Sequence, residues 1–487
     1  MFLGIDLGTS AVKAVLVGEA GELLGQESGE VPVLRPRPGW SEQDPEQWWL
    51  AAQRVVGRLA NDRPGGLAGL RSIGLSGQMH GATILDERDR PIRPAILWND
   101  GRSAVECREI EERVPSARSI TGNLAMPGFT APKLLWLRQH EPEHFAVTRR
   151  VLLPKDYLRL CLTGEFATDV SDASGTYWLD VGARQWSDSL LSACGLSRNA
   201  VPPLFEGLEP TGQLEPALAK AWGCDRVPVV GGAGDQAAGA VGAGVIAPGQ
   251  ASLSLGTSGV YFVAGNSFQP NPDRAVHAFC HCLPGRWHQM SVLLSAASCL
   301  SWVTRATGAA GEEELLQEIE RADCPNGELL FLPYLSGERT PHNDPSARGV
   351  FFGIDHDVDR AALGRAVLEG VAFAFADAQD ALIDAGAAID SVSVIGGGAR
   401  SAYWGRILAS ALGRRLVYRA SGEVGPALGA ARLARLGVTG EDPADVCEEP
   451  PVQFVAEVDP ALADGYRAQL PRFRRLYQNL RSSFDEE

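Results

Sequence analysis

The chain opens with Phe2-Leu3-Gly4-Ile5-Asp6-Leu7-Gly8-Thr9-Ser10, an apolar run that ends in an acid and a turn of glycine and hydroxyl residues. This pattern predicts a buried strand with Asp6 at its tip, then a tight turn into a second strand over residues 12–16. The same Leu-Gly-Thr-Ser core returns at residues 255–258, again between apolar strands. We therefore expect a duplicated architecture, with one such hairpin in each half of the chain.

Each hairpin tip offers backbone N–H groups and hydroxyls, which suit phosphate, and the acid beside the first tip suits Mg²⁺. Two ordinary β-hairpins explain the same four residues equally simply. The motif by itself leaves both interpretations open.

Composition narrows the class of protein. A chain of 487 residues with 45% hydrophobic and 21% charged residues predicts two or three globular domains. A net charge of −16 argues against nucleic acid as the main partner, because phosphate backbones need a basic face. No apolar run is long enough to predict a membrane span, and no signal peptide is apparent. Nine cysteines without framework spacing predict free thiols in a reducing compartment, so we expect a cytoplasmic protein.

Polar side chains follow two predicted strands, residues 71–76 and residues 95–97, at their carboxyl ends, where α/β proteins place ligand groups. An aromatic face with amide and carboxylate groups can pair the buried hydroxyls of a polyhydroxylated substrate. A satisfied loop histidine and a tryptophan packed before a helix cap are the alternatives. The candidates at these strand ends are Gln78, Met79, His80, Trp98 and Asp100.

A glycine-rich stretch at residues 231–244 follows the strand at residues 227–230 and contains a single carboxylate, Asp235. Glycines allow a ligand to approach the backbone closely. An acid at the carboxyl end of a strand is a candidate general base, and an ordinary helix N-cap is the alternative.

The second half of the chain contains a further glycine loop at residues 396–398, between a predicted strand and a predicted helix. This geometry is typical of nucleotide binding, although it matches neither the dinucleotide fingerprint nor the P-loop. The apolar pattern also predicts a helix from Ser291 to Thr304, and the tail from about residue 440 reads as irregular and ends in a basic helical piece from Tyr466 to Arg481.

These motifs, taken together, resemble the FGGY family of carbohydrate kinases over about residues 1–440. The resemblance implies an α/β fold of the two-lobed actin-like ATPase type, built from duplicated ribonuclease H-like domains with a cleft between the lobes. It implies a sugar-binding first lobe at residues 1–246 that carries the first phosphate loop. An ATP-binding second lobe follows at residues 247–440, and residues 441–487 form an extension packed on it.

Four further motifs, at residues 76–81, 98–102, 153–157 and 334–342, resemble the members of this family that act on D-xylulose. They imply transfer of the γ-phosphoryl group of ATP to the 5-hydroxyl of D-xylulose, with Mg²⁺ as cofactor, and a homodimer. The resemblance implies that Asp235 is the catalytic base and that Asp6 is the acid near phosphate and Mg²⁺, which it reaches through water. It implies sugar contacts for Met79, His80, Gln78, Trp98, Asp100 and Gln236. It also implies phosphate contacts for Gly8, Thr9, Ser10, Lys13, Gly256 and Thr257, and adenosine contacts for Gly397, Gly398 and Ala399.

One residue departs from the pattern. Gln236 follows the implied base where kinases of D-xylulose commonly have Asn, and glutamine places the amide about one methylene further out. Another sugar or polyol, such as L-ribulose, L-xylulose, gluconate or glycerol, therefore remains open. An actin-like ATP-binding switch that phosphorylates nothing is a different class of function. The polar strand ends weigh against it, because a switch needs no sugar pocket.

Overall fold

Two mixed seven-stranded sheets, one in each half of the chain, form the centres of two lobes. The computed structural model describes residues 1–322, 329–395, 401–420 and 425–484. The α/β class with two lobes, which the sequence predicts, is confirmed.

The first half of the chain contains fifteen strands and ten α-helices among the described residues. The strands are β1 (Phe2–Leu7), β2 (Ala11–Val17), β3 (Leu23–Glu30), β4 (Glu42–Gln43), β5 (Ser72–Gly77), β6 (Thr83–Leu85), β7 (Ala95–Ile96), β8 (Arg150–Leu152), β9 (Thr168–Asp169), β10 (Leu179–Asp180), β11 (Gln185–Trp186), β12 (Leu204–Phe205), β13 (Pro210–Gln213), β14 (Pro228–Val230) and β15 (Ala233–Gly234). The helices are α1 (Pro45–Asn61), α2 (Ala104–Arg113), α3 (Ala117–Thr121), α4 (Thr130–His140), α5 (Pro142–Val147), α6 (Pro154–Thr163), α7 (Val170–Ser174), α8 (Asp188–Ala193), α9 (Pro216–Trp222) and α10 (Asp235–Gly242).

The second half adds nine strands and seven α-helices within its described ranges. The strands are β16 (Gln250–Leu255), β17 (Gly259–Gly265), β18 (His277–Cys280), β19 (Trp287–Leu293), β20 (Leu330–Leu332), β21 (Val350–Phe352), β22 (Ser391–Ile395), β23 (Leu416–Arg419) and β24 (Val452–Ala456). The helices are α11 (Ala297–Ala306), α12 (Glu312–Ala322), α13 (Arg360–Asp384), α14 (Ala402–Leu412), α15 (Gly425–Thr439), α16 (Pro443–Val446) and α17 (Pro460–Phe484).

The two sheets share one topology. The first runs β13-β14-β5-β1-β2-β3, with β15 also paired to β5, and the second runs β24-β23-β22-β16-β17-β19-β18. In each sheet an antiparallel hairpin, β1–β2 or β16–β17, has a parallel strand beside its first member, β5 or β22. The duplication that the repeated Leu-Gly-Thr-Ser core predicts is therefore present in the strand order.

Helix α15 connects the two lobes. It follows β23 of the second sheet in the chain, yet it packs on β1 and β5 of the first sheet and crosses α10. A Cβ atom on Gly4 would overlap the carbonyl oxygen of Ala427, and one on Gly74 would overlap that of Ala430. The apolar run at the start of the chain is thus buried on both sides, as a central strand between two layers requires.

Two sequence expectations for the second half are wrong. Ser291 lies in β19, where it pairs with Tyr261 of β17, and the helix begins only at Ala297. A continuous apolar run does not distinguish a buried strand from a buried helix, and here the edge of β17 selects the strand. The tail is also more regular than expected, since β24 pairs with β23 and the helix begins earlier, at Pro460; the helical piece predicted at its end lies within α17, which packs on α14 and β20.

Two further findings concern the state of the cysteines and the absence of a membrane-spanning helix among the described residues. All eight cysteines within the described ranges are free thiols. Among the described helices, none combines the length and the apolar character that a membrane span requires.

The crossing of α10 and α15 predicts a strong effect of one methyl group. A Cβ on Gly429 would overlap the carbonyl oxygen of Ala238, so we expect Gly429→Ala to lower stability by about 1–3 kcal/mol, the usual cost of overpacking. Gly239→Ala on α10 is the matched control, because its nearest neighbour, Cγ of Pro426, lies at an ordinary 3.8 Å. Calorimetric unfolding of both variants tests this, and equal transition temperatures would contradict the close contact.

Candidate active site

Asp235 lies at the beginning of α10, directly after a strand end of the first sheet. Strand β15 pairs in parallel with β5, and β5 pairs in parallel with β1, so Ala233, Ser76 and Asp6 are in register across three strands. Gly234 is the N-cap of α10 and Asp235 is its first helical residue. The ordinary N-cap alternative for Asp235 therefore does not hold.

A cavity of about 730 Å³ lies between α10 and the second sheet, and Asp235 and Gln236 contribute to its wall. The wall that the second lobe contributes to this cavity includes Ser254 of β16, Ile395 at the end of β22 and Ala420 just after β23. The carboxyl ends of parallel strands in such sheets are the usual ligand-binding edge. The cavity therefore brings the candidate base to the place where a nucleotide would enter between the lobes.

Two carboxylates stand close together at this edge. Burial raises the pKa of Asp235, the negative charge of Asp6 raises it further, and the pKa is about 7. Burial likewise raises the pKa of Asp6 to about 6. A carboxylate whose pKa lies near neutrality can accept a proton at physiological pH and release it again, as a general base must.

His80 is held in one protonation state and one orientation. Its backbone is left-handed (φ 71°), and Nδ1 lies 2.7 Å from the carbonyl oxygen of Gly175. Burial lowers the pKa of His80 to about 3, so the ring is neutral. A carbonyl oxygen only accepts, so Nδ1 carries the hydrogen and Nε2 is an acceptor, suited to a hydroxyl group.

Met79 links His80 to the loop of the candidate base. A Cβ on Gly234 would lie 2.9 Å from Cγ of Met79, and one on Gly175 would lie 3.0 Å from its Cε. The Met79 side chain thus lies between the residue before Asp235 and the residue that bonds His80. The structure brings Met79, His80 and Asp235 together, as the sequence predicts for a sugar site.

Trp98 and Gln78 take part in a chain of hydrogen bonds that begins at the first turn. Nε1 of Trp98 donates to Oγ1 of Thr9 (2.9 Å), which donates to Oε1 of Gln78 (3.1 Å), and Nε2 of Gln78 donates to Gln43 (2.7 Å). Trp98 is 42% exposed, whereas Gln78 is buried. Gln78 therefore joins the first turn to the strand-end loop, and its direct contact with a sugar stays a prediction.

Asp100 is occupied by other partners. It accepts two bonds from the guanidinium of Arg102 (2.8 and 2.7 Å) and one from the backbone of Ser41 (2.6 Å). The Arg102 guanidinium in turn lies 3.6 Å above the ring of Trp40. Asp100 is thus part of a buried ion-pair cluster, and its direct contact with a sugar stays a prediction.

The two turns differ in their surroundings. Gly8 and Thr9 are half-buried, while Ser10 at the tip and Lys13 on β2 are exposed. In the second turn Gly256 is half-buried and Thr257 is exposed. The backbone there is fixed within its own lobe, because the carbonyl of Thr257 accepts from Ser298 of α11 and the carbonyl of Gly256 accepts from the same helix. The candidate adenosine residues Gly397, Gly398 and Ala399 lie outside the described residues.

Comparison with known proteins identifies the family. The N-terminal domain model of the FGGY family of carbohydrate kinases matches residues 1–242, and the C-terminal domain model matches residues 251–437. The chain belongs to the FGGY family of carbohydrate kinases.

This FGGY kinase is similar over its whole length to several relatives. It is 54% identical to the xylulose kinase of Escherichia coli, with 99% of each chain covered, and 37% identical to that of Bacillus subtilis, with 93% and 91% covered. Among solved structures, the xyloylose kinase of Brucella ovis superposes with a TM-score of 0.96 at 50% identity, covering 99% of each chain. The family resemblance that the sequence motifs indicate is confirmed.

The surroundings of Asp6 fit a magnesium ion in this FGGY kinase. Asp6 is buried, and its Oδ1 has no hydrogen-bond partner among the described residues. No group of three or more His, Cys, Asp or Glu side chains in the described ranges forms a complete metal cage. Mg²⁺ usually binds one or two carboxylates and completes its shell with water and substrate phosphates. A buried carboxylate oxygen without a partner, beside the first Leu-Gly-Thr-Ser turn, suits that mode of binding.

Sequence analysis assigned no contact in the site to Lys133 or Gly175. The buried Lys133 ammonium donates to the carbonyl oxygens of His80 (2.9 Å) and Gly128 (2.7 Å), which holds the left-handed turn at His80. Both residues act through backbone carbonyls of distant segments. No local spacing in the sequence could indicate those contacts.

The close contact at Gly175 predicts a selective defect. A methyl group there would overlap Nδ1 of His80 and press on Cε of Met79, so we expect Gly175→Ala to raise the KM for the carbohydrate by about tenfold or more and to leave the KM for ATP unchanged. Gly57→Ala on α1, which has open space around it, is the control. Steady-state kinetics with each substrate varied in turn tests this. A matching rise in the KM for ATP would contradict it.

Proposed function

We propose that this FGGY kinase transfers the γ-phosphoryl group of ATP to the 5-hydroxyl of D-xylulose, with Asp235 as the general base. The proposal is carried by the position of Asp235, which stands between the Met79–His80 loop and the cavity between the lobes. The full-length similarity to xylulose kinases supports the choice of sugar.

The reaction follows from the chemistry of these groups. The 5-hydroxyl oxygen forms a bond to the γ-phosphorus while the bond from that phosphorus to the bridging oxygen of ADP breaks. Asp235 accepts the hydroxyl proton, and ADP leaves with the electron pair. Transfer of this kind depends mainly on positioning and on neutralising charge.

The remaining groups position the substrates in this proposal. The neutral ring of His80 accepts a hydrogen bond from a sugar hydroxyl through Nε2, and Met79 forms the apolar wall beside it. The N–H groups of Gly8 and Gly256 are used within their own turns, so the backbone N–H groups of Thr9, Ser10 and Thr257 donate to the phosphates. Asp6 would hold Mg²⁺, which would supply positive charge to the phosphate groups.

A coupled ADP-release assay tests the base and the sugar together. We expect D-xylulose to stimulate ADP release by the wild-type protein more than L-ribulose, L-xylulose, gluconate or glycerol. Asp235→Ala should lose about 10²–10⁴-fold in kcat, the usual contribution of a general base. Asp188→Ala is the control, because Asp188 is also the first residue of a helix but lies on the exposed α8, away from the cavity.

Each arm of this assay can fail separately. Near-wild-type turnover of Asp235→Ala would exclude Asp235 as the base. A stronger response to another sugar would change the substrate and leave the base intact. ADP release that does not depend on any sugar would favour an ATP-driven switch.

The raised pKa of Asp235 predicts the pH dependence. Only the ionised carboxylate accepts a proton, so kcat/KM for D-xylulose should fall about tenfold per pH unit below about pH 7. In Asp6→Asn one nearby negative charge is gone, which lowers the pKa of Asp235. In that slower variant, the fall of kcat/KM on the acid side should therefore begin at lower pH. A profile that stays level down to pH 5 in the wild-type protein would refute the assignment.

A further inference from the structure

A buried lysine is connected to the residue that precedes Asp235 through an ion pair with Asp169 and the hydrogen bonds of Ser171. Nζ of Lys155 lies 3.0 Å from Oδ1 of Asp169. The other oxygen of Asp169 accepts from the hydroxyl of Ser171 (2.5 Å) and from its backbone N–H (2.8 Å). The Ser171 hydroxyl in turn accepts from the backbone N–H of Gly234 (3.2 Å).

The charges at the start of this connection are fully buried. Lys155 also lies 2.5 Å from Asp156 and 3.5 Å from Asp172, and all of these side chains are at most 1% exposed. Burial by itself would lower the pKa of Lys155, but attraction to the three carboxylates outweighs it and raises the pKa. The ammonium therefore stays charged. Removing one partner of such a buried group leaves the others uncompensated, so the geometry is strongly enforced.

Helix α7 carries the connection to both halves of the site. Asp169 is its N-cap, and Ser171 in its first turn bonds Gly234. Directly after its last residue, the carbonyl of Gly175 accepts from His80. One short segment therefore contacts the loop that carries the candidate base at one end and His80, a candidate sugar-binding residue, at the other.

We propose that Lys155 is a positioning residue for phosphoryl transfer, which acts through Asp169 and Ser171 to hold Gly234 and thereby the backbone of Asp235. The proposal rests on the proposed function of Asp235. In this proposal Lys155 contacts no substrate. By fixing α7, it sets the distance between the Asp235 carboxylate and the sugar hydroxyl.

The hydroxyl of Ser171 is the sharpest place to test this. In the full-length protein, Ser171→Ala removes the acceptor of the Gly234 N–H and leaves every charge in place. We expect kcat with D-xylulose to fall about 10–100-fold, because a displacement of about 1 Å at a reacting group costs up to 10² in rate. The KM values for D-xylulose and ATP should stay within about twofold, since the sugar and nucleotide contacts are intact.

Ser410→Ala is the matched control. Ser410 is equally buried, and its hydroxyl also accepts from a backbone N–H, that of Asp459 (3.0 Å), but it lies on α14 of the second lobe. Both variants lose one hydroxyl with similar bonding, so a general loss of stability should affect them alike. We expect kcat of Ser410→Ala to match the wild type. Equal kcat values for the two variants would overturn the proposal.

Lys155→Met provides the second variant, with a larger expected fall in kcat than Ser171→Ala. If Lys155→Met does not fold, Ser171→Ala alone decides. Failure of the positioning role is distinguishable from failure of the proposed function. In the first case the wild-type protein phosphorylates D-xylulose and Ser171→Ala is equally fast, and in the second the wild-type protein itself shows no transfer to D-xylulose.

Discussion

The close backbone contact of α15 with β1, β5 and α10 is the constraint on which both lobes depend. The chain reaches α15 from the second sheet, so seating this helix on the first sheet fixes one lobe to the other. Gly4, Gly74 and Gly429 permit the contact because a Cβ at any of them would overlap a backbone carbonyl. The candidate base begins α10, and the same crossing therefore determines where the base stands relative to the second lobe.

Two buried lysines show how the first lobe keeps the site rigid by different electrostatic means. Lys133 donates to the carbonyls of His80 and Gly128, and burial lowers its pKa well below the usual value. Lys155 is surrounded by carboxylates, which keep it charged. The first holds the left-handed backbone at His80, and the second holds the cap of α7. Burying each amino group costs desolvation, which two carbonyl acceptors offset at Lys133 and nearby acidic side chains offset at Lys155.

Local patterns predicted the parts of the fold that local physics determines. Strands were correctly predicted from the apolar run before Asp6, from the Leu-Gly-Thr-Ser repeat and from the run that ends at Gly77. The repeat also predicted that the architecture is duplicated. Ser291 was misassigned because its strand exists only by pairing with a distant hairpin. The position of Asp100 at a strand end could be predicted from sequence, but its ion pair with Arg102 could not, and its contact with a sugar stays a prediction. Ser171 and Gly175 lie in a stretch that sequence marks as polar and rich in turns, but their partners could not be predicted, since these contacts join segments about sixty and ninety-five residues apart.

The edge strand β18 has a consequence for how the lobes can move. The amide of Asn123 in the first lobe bonds both the carbonyl (3.0 Å) and the N–H (3.3 Å) of Ala278, and the N–H of Cys280 donates to Ser174 (3.0 Å). Around this strand Arg184 of the first lobe also donates to the carbonyls of Arg286 and His281, and Trp287 donates to that of Val181. The second lobe is thus attached to the first along the β18 edge as well as at the α10–α15 crossing. A change in the angle between the lobes has to keep or break these contacts together, and two distance labels placed on the far rims of the lobes measure that angle.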